Sequence, residues 1–249
     1  MARRRFFVDR VNAGEAELSG EEASHLTRVL RVEPGQRFEL TDNQNLYLAE
    51  IAEVRKDCVR FVILSPLDPG PALPSLVLFI ALIKFDRFEW LIEKATELGV
   101  ERIVPVEAAR SEPGLLAAAA KRVERWRKIA RESSQQSRRV RMPLIDEARK
   151  LRQALGEAPG AHRFRLEERR PGAPPLIAAS REASDYALLC GPEGGWLDSE
   201  RDEAAAAGWM PVSLGPTILR AETAAIAATA VLVHVWNTAL GASSDYTER

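Results

Sequence analysis

A proline-rich stretch divides the sequence into two segments with different patterning. Residues 66–74 read Pro-Leu-Asp-Pro-Gly-Pro-Ala-Leu-Pro, and four prolines in so short a run exclude a continuous helix or a central strand. We therefore predict a linker here, with one domain over residues 1–70 and a second over residues 74–244. The chain of 249 residues is long enough for two domains with buried cores.

The segment before the linker has the pattern of a small β domain. Strands are predicted over residues 37–41, 46–54 and 58–64, with a turn at Asp42-Asn43-Gln44-Asn45. A short helix is predicted before them, because Ser19 and Glu22 have the spacing of a capping box. The apolar residues that follow fall on one helical face, namely Ala23, Leu26, Val29 and Leu30. This pattern predicts a β-barrel that carries one helix.

The segment after the linker alternates strands with helices. Residues 76–83 form a continuous apolar run, as expected of a strand buried on both faces. A helix is predicted from Phe85 to Leu98, and Gly99 is a natural stop. The remaining elements are predicted at 102–106, 162–166, 186–190, 199–207, 212–214 and 221–240. Such alternation predicts an α/β fold with a parallel sheet.

Composition excludes several classes of protein. Cys58 and Cys190 have no pairing or metal-ligand spacing, and neither do the three histidines, so we expect neither a disulfide scaffold nor a metal site. The basic start of the chain lacks the apolar core of a signal peptide, and the most apolar stretch, 224–236, is short for a membrane span. We expect a cytoplasmic protein with no membrane partner. The net charge of −1 identifies no partner by itself.

The first candidate site is the loop Gly191-Pro192-Glu193-Gly194-Gly195, which follows the predicted strand 186–190. Glycines let a ligand approach the main chain closely, and the carboxyl end of a parallel strand is where α/β proteins usually bind ligands. The loop matches neither the Walker A pattern nor the dinucleotide fingerprint. The alternative interpretation is a tight strand-to-helix turn without a ligand.

The second candidate site runs from Ser213 to Thr223. Leu214 and Gly215 begin a turn, and the apolar pair Ile218-Leu219 is suited to pack against a flat ligand. Arg220 and Glu222 flank the start of a long Ala-rich helix. The alternative interpretation is an ordinary ion pair at a helix start, which contributes little to stability when exposed.

A third feature is basic. Residues 121–141 hold nine Lys or Arg residues and two carboxylates. Val123, Trp126 and Ala130 keep a helical stripe, so the arginines are predicted on the exposed face. Such a face attracts RNA phosphates. A solvated charged surface is the alternative, but an excess of seven positive charges within a nearly neutral protein favours nucleic acid.

In their order along the chain these motifs resemble the RsmE-type methyltransferases, which act on N3 of a uridine in small-subunit ribosomal RNA. The resemblance covers nearly the whole chain. The matching segments are 25–31, 84–87, 93–100, 132–137, 191–195, 214–215 and 218–224. One difference is Arg138, where the family typically carries a glycine.

The resemblance implies both the fold and the cofactor. It implies a PUA-like N-terminal β-barrel that binds RNA, a C-terminal SPOUT domain with a parallel sheet and a trefoil knot, and a homodimer. It also implies S-adenosylmethionine-dependent methylation of 16S rRNA, without a metal. The residues implied in the cofactor pocket are Leu189, Gly191, Pro192, Glu193, Gly194, Gly195, Ser213, Leu214, Gly215 and Leu219.

Catalytic and RNA-binding residues follow from the same resemblance. Uridine N3 carries a proton, so transfer needs a base or a cation that stabilises the uracil anion. Arg220 is the first candidate cation and Arg139 the second, while Glu222 is a candidate base or orients Arg220. The residues implied in RNA binding are Arg3, Arg4, Arg5, Arg28, Arg31 and Arg139.

Two alternatives stay open at this stage. The first keeps the knotted fold but methylates a ribose 2′-hydroxyl or a tRNA base, and the identity of the modified nucleoside distinguishes it. The second is a non-catalytic RNA-binding protein of ribosome assembly. Binding of S-adenosylmethionine distinguishes that one.

Overall fold

The computed structural model describes residues 4–70, 75–158, 162–168, 172–180 and 185–239. It divides into two compact units. The N-terminal unit comprises Met1–Ala72 and Ser134–Met142, and the C-terminal unit comprises Leu73–Ser133 and Pro143–Arg249. The chain therefore returns to the N-terminal unit for segment 134–142, an excursion that the sequence pattern did not predict. No helix in the described part of the chain is long and apolar enough to cross a membrane.

The N-terminal unit consists of a six-stranded sheet and one helix. Its elements are β1 (Arg5–Phe7), β2 (Val11–Asn12), β3 (Glu15–Ser19), α1 (Gly20–Arg28), β4 (Arg37–Thr41), β5 (Leu46–Arg55) and β6 (Cys58–Leu67). The strand order is β1-β4-β5-β6-β3-β2, with β1 and β4 parallel and the other pairs antiparallel. The strands and the helix predicted for this unit are confirmed, while closure of the sheet into a barrel stays a prediction. Within the described residues β1 and β2 are the two edges of the sheet, so backbone pairing does not close it.

Local features of this unit correct three predictions. Ser19 precedes α1 but makes no side-chain capping hydrogen bond, so the predicted capping box is wrong; Gly20, at φ +65°, begins the helix instead. Helix α1 ends at Arg28, so Val29 lies beyond it and is 65% exposed rather than buried. Strand β6 continues through Pro66, which pairs with Tyr47, so the predicted linker does not begin at residue 66; its residues 71–74 lie outside the described part of the chain.

The C-terminal unit is built on a seven-stranded sheet in which every pair is parallel. The strands are β7 (Leu76–Ala81), β8 (Arg102–Glu107), β9 (Leu144–Ile145), β10 (Arg149–Lys150), β11 (His162–Leu166), β12 (Tyr186–Cys190) and β13 (Met210–Val212). The helices are α2 (Phe85–Glu97), α3 (Leu115–Ala119), α4 (Val123–Gln136), α5 (Leu151–Ala154), α6 (Leu176–Ala179), α7 (Asp198–Ala206) and α8 (Ala221–Ala239), with a 3₁₀ turn at Leu155–Glu157. The last three residues of α4 already belong to the N-terminal unit. The strand order is β10-β8-β7-β12-β11-β13, and β9 pairs with β8.

Central strand β7 is buried along its whole length, as its apolar run predicted. Alternate residues pack into two separate cores. Leu78 and Ile80 belong to one core with residues of α2 and α8, whereas Phe79 belongs to the other with Trp209. Helices therefore cover both faces of the sheet, which is the arrangement expected of a parallel sheet.

The sheet order brings the carboxyl ends of four strands together. Strands β7, β12, β11 and β13 are neighbours, and all run in the same direction. The connections that follow them therefore leave from one edge. These connections include residues 82–84, 191–195, 167–168 and 213–220. Two segments that the sequence predicted as candidate sites thus lie at the same edge as two that it did not.

Candidate active site

A cleft of about 390 Å³ lies at this edge, entirely within the C-terminal unit. Its volume falls within the range of small-molecule sites, which is roughly 300–1,000 Å³. Four parts of the chain line it: Arg87 of α2, the last residue of β11 with the two residues after it, the glycine loop, and the loop that leads into α8. The lining residues are Arg87, Leu166, Glu167, Glu168, Cys190, Gly191, Pro192, Glu193, Gly195, Trp196, Leu214, Gly215, Thr217, Ile218, Leu219, Arg220, Ala221 and Ala224.

The glycine loop packs tightly against a tryptophan. A Cβ atom at Gly191 would lie 2.8 Å from Cε2 of Trp196, closer than side chains approach. The indole Nε1 of Trp196 donates a hydrogen bond to the carbonyl of Leu166 at 3.0 Å, which fixes the ring. Gly195 turns the chain at φ +70°, and its N–H donates to the carbonyl of Pro192 at 2.9 Å. Glycine is therefore required at 191 by packing and favoured at 195 by backbone conformation.

Arg110 holds the loop on its other side. Its Nη1 donates to the carbonyl of Gly194 at 2.7 Å, and a Cβ at Gly194 would lie 3.0 Å from Cβ of Arg110. Gly194 therefore faces Arg110 and is not among the residues that line the cleft. The sequence did not single out Arg110, because it follows β8 and is distant along the chain.

The second loop supplies an apolar wall. Gly215 has φ +129°, and its N–H donates to Oγ of Ser213 at 3.1 Å, which shapes the turn after β13. Because this turn begins at Ser213, the strand ends at Val212 rather than at the predicted Leu214. Leu214, Ile218 and Leu219 line the cleft, and Ile218 is exposed. Exposed apolar groups around a cleft favour a ligand with a flat apolar part.

Arg87 lies between the glycine loop and the first turn of α8. Its guanidinium forms an ion pair with Glu193, and its Nε lies 3.9 Å from Oε1 of Glu222. Glu222 is 7% exposed, and its Oε2 has no hydrogen-bond partner among the described residues. The sequence interpretation paired Glu222 with Arg220, but the arginine within reach of this carboxylate is Arg87. Arg220 instead has an exposed side chain and lines the cleft.

A third wall comes from the end of β11, which the sequence did not predict as part of a site. Glu167 is buried and contacts two arginines, Arg165 at 2.6 Å and Arg201 at 3.2 Å. Glu168 follows with an exposed side chain in the lining of the cleft. The buried ion cluster fixes this wall, and the exposed carboxylate adds a hydrogen-bond acceptor to it.

Seven of the ten predicted cofactor residues line this one cleft. They are Gly191, Pro192, Glu193, Gly195, Leu214, Gly215 and Leu219. Three do not. Leu189 is fully buried in the core that contains Phe79 and Trp209, Gly194 faces Arg110, and Ser213 supports the turn at Gly215.

The predicted RNA-binding arginines of the N-terminal unit differ in exposure. Arg4, Arg28 and Arg31 are exposed, and Arg139 is partly buried. Arg5 is buried, and its guanidinium is bound by Glu39 and by the carbonyl of Arg138. The prediction that Arg5 faces RNA is therefore wrong, because its donors are used inside the unit. Arg3 lies outside the described residues.

Helix α4 has the predicted buried stripe of Val123, Trp126 and Ala130. Its basic face is partly neutralised. Both Arg122 and Arg125 contact Glu89 of α2, at 3.4 and 2.8 Å. Arg127 pairs with Glu124 at 2.6 Å. Glu124 is already counted in the excess of seven, so it is Glu89 that makes the positive charge available to a partner smaller than the sequence count suggests.

Comparison with known proteins gives matches over nearly the whole chain. The family model for an RNA methyltransferase domain matches residues 71–233, and that for an RNA methyltransferase PUA domain matches residues 18–64. The protein named ribosomal RNA small subunit methyltransferase E in Mycobacterium bovis is 33% identical over 244 residues, which cover 93% of each chain. Its namesake in Bacillus subtilis is 30% identical over 228 residues, covering 87% of this chain and 89% of the relative.

Solved structures agree with these matches. A ribosomal RNA small subunit methyltransferase E from Neisseria gonorrhoeae, bound to S-adenosylmethionine, superposes with a TM-score of 0.85 at 30% identity, covering 94% of this chain and 98% of that one. A methyltransferase from Legionella pneumophila, in complex with the same cofactor, gives 0.84 at 30% identity, covering 96% and 98%.

Proposed function

The chain belongs to the family of ribosomal RNA small subunit methyltransferases E, and from this premise we propose that it transfers the methyl group of S-adenosylmethionine to N3 of a uridine in 16S rRNA. The observation that carries the proposal is that the glycine loop and the loop ending at Arg220 line the same cleft. Since ribosomal RNA is the substrate, we place the enzyme in the cytoplasm.

The cleft suits S-adenosylmethionine. Gly191 and Gly195 both line the cleft, and neither carries a side chain that would keep a ligand away from the main chain. Leu214 and Leu219 would pack against the flat adenine, while main-chain amides and carbonyls bind its polar edges. Bound there, the cofactor supplies a methyl group already activated by its sulfonium, so the protein has mainly to bind and orient.

Arg220 is assigned to the acceptor side of the reaction. Uridine N3 becomes a nucleophile only when its proton leaves, and a nearby guanidinium stabilises the resulting uracil anion. Arg220 lines the cleft with an exposed side chain, so it can contact a base that enters from solvent. Arg139, our second candidate for this role, belongs to the N-terminal unit and is assigned below to RNA binding.

Glu222 is assigned to positioning rather than to proton transfer. It is buried, lies within ion-pair distance of Arg87, and is not among the residues that line the cleft. A carboxylate so placed keeps Arg87 oriented toward Glu193 of the glycine loop. This assignment replaces its role as a base or as the partner of Arg220.

The N-terminal unit is assigned to substrate binding. Its exposed arginines, Arg4, Arg28 and Arg31, would contact phosphates, which set position without reading sequence. The target uridine has to leave its stack before it can reach the cofactor. The RNA-binding unit then has to hold the flanking nucleotides while the base occupies the cleft.

The finer features of the fold are proposed from the family resemblance. We infer that the C-terminal unit is threaded into a trefoil knot and that the enzyme is a homodimer. Two of the proposed cofactor-binding connections follow β12 and β13, the two strands that flank β11 in the sheet, so both leave from the same edge and a knot would bring them together there. Light scattering of the full chain should give twice the mass of the 27.6 kDa monomer, and a monomer mass would contradict the dimer.

Separate measurements of binding and transfer test the assigned roles. Arg220→Ala should reduce methyl transfer to unmethylated 16S rRNA by about 100-fold or more, since it removes a group that stabilises charge in the transition state. Calorimetry should show unchanged affinity for S-adenosylmethionine. Arg152→Ala, which removes an exposed arginine of α5 away from the cleft lining, is the matched control. Transfer near the wild-type rate in Arg220→Ala would contradict the role of Arg220.

A further inference from the structure

Strand β4 carries polar residues that are buried on the side away from its apolar core. Leu40 belongs to the core of the N-terminal unit, whereas Glu39 and Thr41 alternate with it and therefore lie on the opposite face. That face of a small antiparallel sheet is usually solvated. Here Glu39 is 8% exposed and Thr41 is 0% exposed. Another part of the chain must therefore cover this face of β4.

Segment 134–142 makes the covering contacts, with a period of two residues. The guanidinium Nη2 of Arg138 donates to Oε1 of Glu39 at 2.6 Å. Oγ1 of Thr41 donates to the carbonyl of Val140 at 2.7 Å. The N–H of Met142 donates to Oδ1 of Asn43, also at 2.7 Å. Residues 39, 41 and 43 thus hold residues 138, 140 and 142 in a defined register.

A buried ion cluster strengthens the first of these contacts. Arg5 donates from Nε and Nη2 to Oε2 of Glu39, at 3.0 and 2.8 Å, and also donates to the carbonyl of Arg138. Arg138 has φ +57°, a left-handed conformation that is uncommon for a residue with a side chain. Its side chain and its carbonyl are therefore both bound while its backbone is in this strained state. Such over-determined strain often marks a functional turn.

The positions between the three contacts are arginines. Arg141 is exposed and Arg139 is partly exposed. Segment 134–142 contains no carboxylate, and Glu39 offsets only one of its two arginine partners. The exposed Arg4 immediately precedes β1, and its carbonyl accepts a hydrogen bond from the N–H of Glu39. The surface is therefore positively charged, and its backbone is fixed.

We propose that residues 138–142 form a phosphate-binding strip of the N-terminal unit, in which Arg139 and Arg141 contact the RNA substrate and Glu39, Thr41 and Asn43 set their register. This inference rests on the proposed function, because that function identifies RNA as the substrate. A fixed backbone that presents arginines at alternate positions suits the regular phosphates of an RNA strand. The strip would bind RNA without reading its sequence.

The charge of the strip is tested by RNA binding over a range of salt concentrations, with unmethylated 16S rRNA as the probe. The double variant Arg139→Ala/Arg141→Ala should bind the RNA at least tenfold more weakly. The slope of log affinity against log salt concentration should become shallower by about 0.7–0.9 for each phosphate that the variant no longer neutralises. Affinity for S-adenosylmethionine should be unchanged, and Arg152→Ala should bind RNA like the wild type. Arg141→Ala alone, at an exposed position, should show a smaller decrease in the same direction.

The register of the strip is tested by two substitutions at one position. Arg138→Gly and Arg138→Ala both remove the guanidinium, but only glycine adopts φ +57° without strain. The glycine variant should therefore bind RNA several-fold more tightly than the alanine variant. Thr41→Val, which removes the donor to Val140 while keeping the shape of the side chain, should also weaken RNA binding.

These measurements distinguish failure of the strip from failure of the proposed function. Methyl transfer by the wild-type chain to the same RNA reports on the proposed function alone. If transfer occurs but both the double variant and Arg141→Ala bind RNA like the wild type, the strip is wrong and the function stands. Equal affinities of Arg138→Gly and Arg138→Ala would overturn the role of the register. A wild-type chain without affinity for the RNA would overturn the strip as well.

Discussion

Gly191 is the residue on which the shape of the cleft depends most directly. Gly191→Ala places a Cβ 2.8 Å from the ring of Trp196, and that ring is held by its hydrogen bond to Leu166. We expect at least tenfold weaker binding of S-adenosylmethionine by calorimetry. Overpacking should also lower the free energy of unfolding by about 1–3 kcal/mol in urea titrations.

Gly156→Ala is the matched control for this substitution. A Cβ at Gly156 meets no heavy atom within 4 Å, so the same chemical change is made without a clash. This variant should bind the cofactor like the wild type. Equal cofactor affinity in both variants would show that the contact between Gly191 and Trp196 does not shape the site.

Arg87 is expected to couple the glycine loop to the start of α8, which follows the second loop. Arg87→Met removes the cation between Glu193 and Glu222 and leaves the buried Glu222 without it. Both cofactor affinity and methyl transfer should fall. In a double-mutant cycle with Glu222→Gln, the unfolding free energies should deviate from additivity by about 0.5–3 kcal/mol, as for residues in contact. Strict additivity would mean that the two side chains do not interact.

At the scale of residues, the sequence predicted those site positions that share a local motif. Gly191, Gly195, Leu214 and Leu219 lie in two short loops whose composition marks them, and all four line the cleft. Arg87, Arg110 and Glu168 reach the site only because distant strands are neighbours in the sheet, which no local pattern records. Arg138 has φ +57°, a left-handed conformation that glycine adopts more readily, and no local pattern of the sequence predicts it.

At the scale of elements, the contact between β4 and segment 134–142 should depend on pH. Burial raises the pKa of Glu39, but hydrogen bonds and charges from Arg138 and Arg5 outweigh burial, so this pKa lies below its usual value. A carboxyl whose pKa is lowered on folding stabilises the folded state above the unfolded pKa. That stabilisation is lost as the pH falls through the folded pKa.

Glu39→Gln tests this dependence. The wild type should be more stable than the variant near neutral pH, and the difference in unfolding free energy should shrink as the pH falls below about 4. Urea titrations at a series of pH values measure this difference. A difference that stays constant from neutral to acid pH would show that the charge of Glu39 contributes nothing.

Most elements follow from local periodicity, and the exceptions have identifiable causes. The apolar run of β7 and the helical spacing of α2 specify both elements, and both were predicted within two residues of their observed ends. Segment 134–142 was not assigned to the N-terminal unit, because that assignment depends on Glu39, Thr41 and Asn43, which are distant in sequence. Long-range contacts, and not the composition of segment 134–142 itself, determine that it belongs to the N-terminal unit.

At the scale of the whole molecule, the proposed function assigns RNA binding to the N-terminal unit and methyl transfer to the C-terminal unit. The C-terminal unit brings the carboxyl ends of parallel strands to one edge and so assembles the cofactor cleft. The N-terminal unit presents exposed arginines and the strip of residues 138–142. Rival functions on the same fold differ in the atom that receives the methyl group, and only the product distinguishes them.

The most direct test is to identify that product. The full-length chain is incubated with S-adenosylmethionine and small ribosomal subunits from a strain that lacks this activity, and the 16S rRNA is then digested and analysed by mass spectrometry. We predict cofactor-dependent formation of 3-methyluridine, strongly reduced with Arg220→Ala. Methylation of a ribose or of another base, or no methylation at all, would contradict the proposed function.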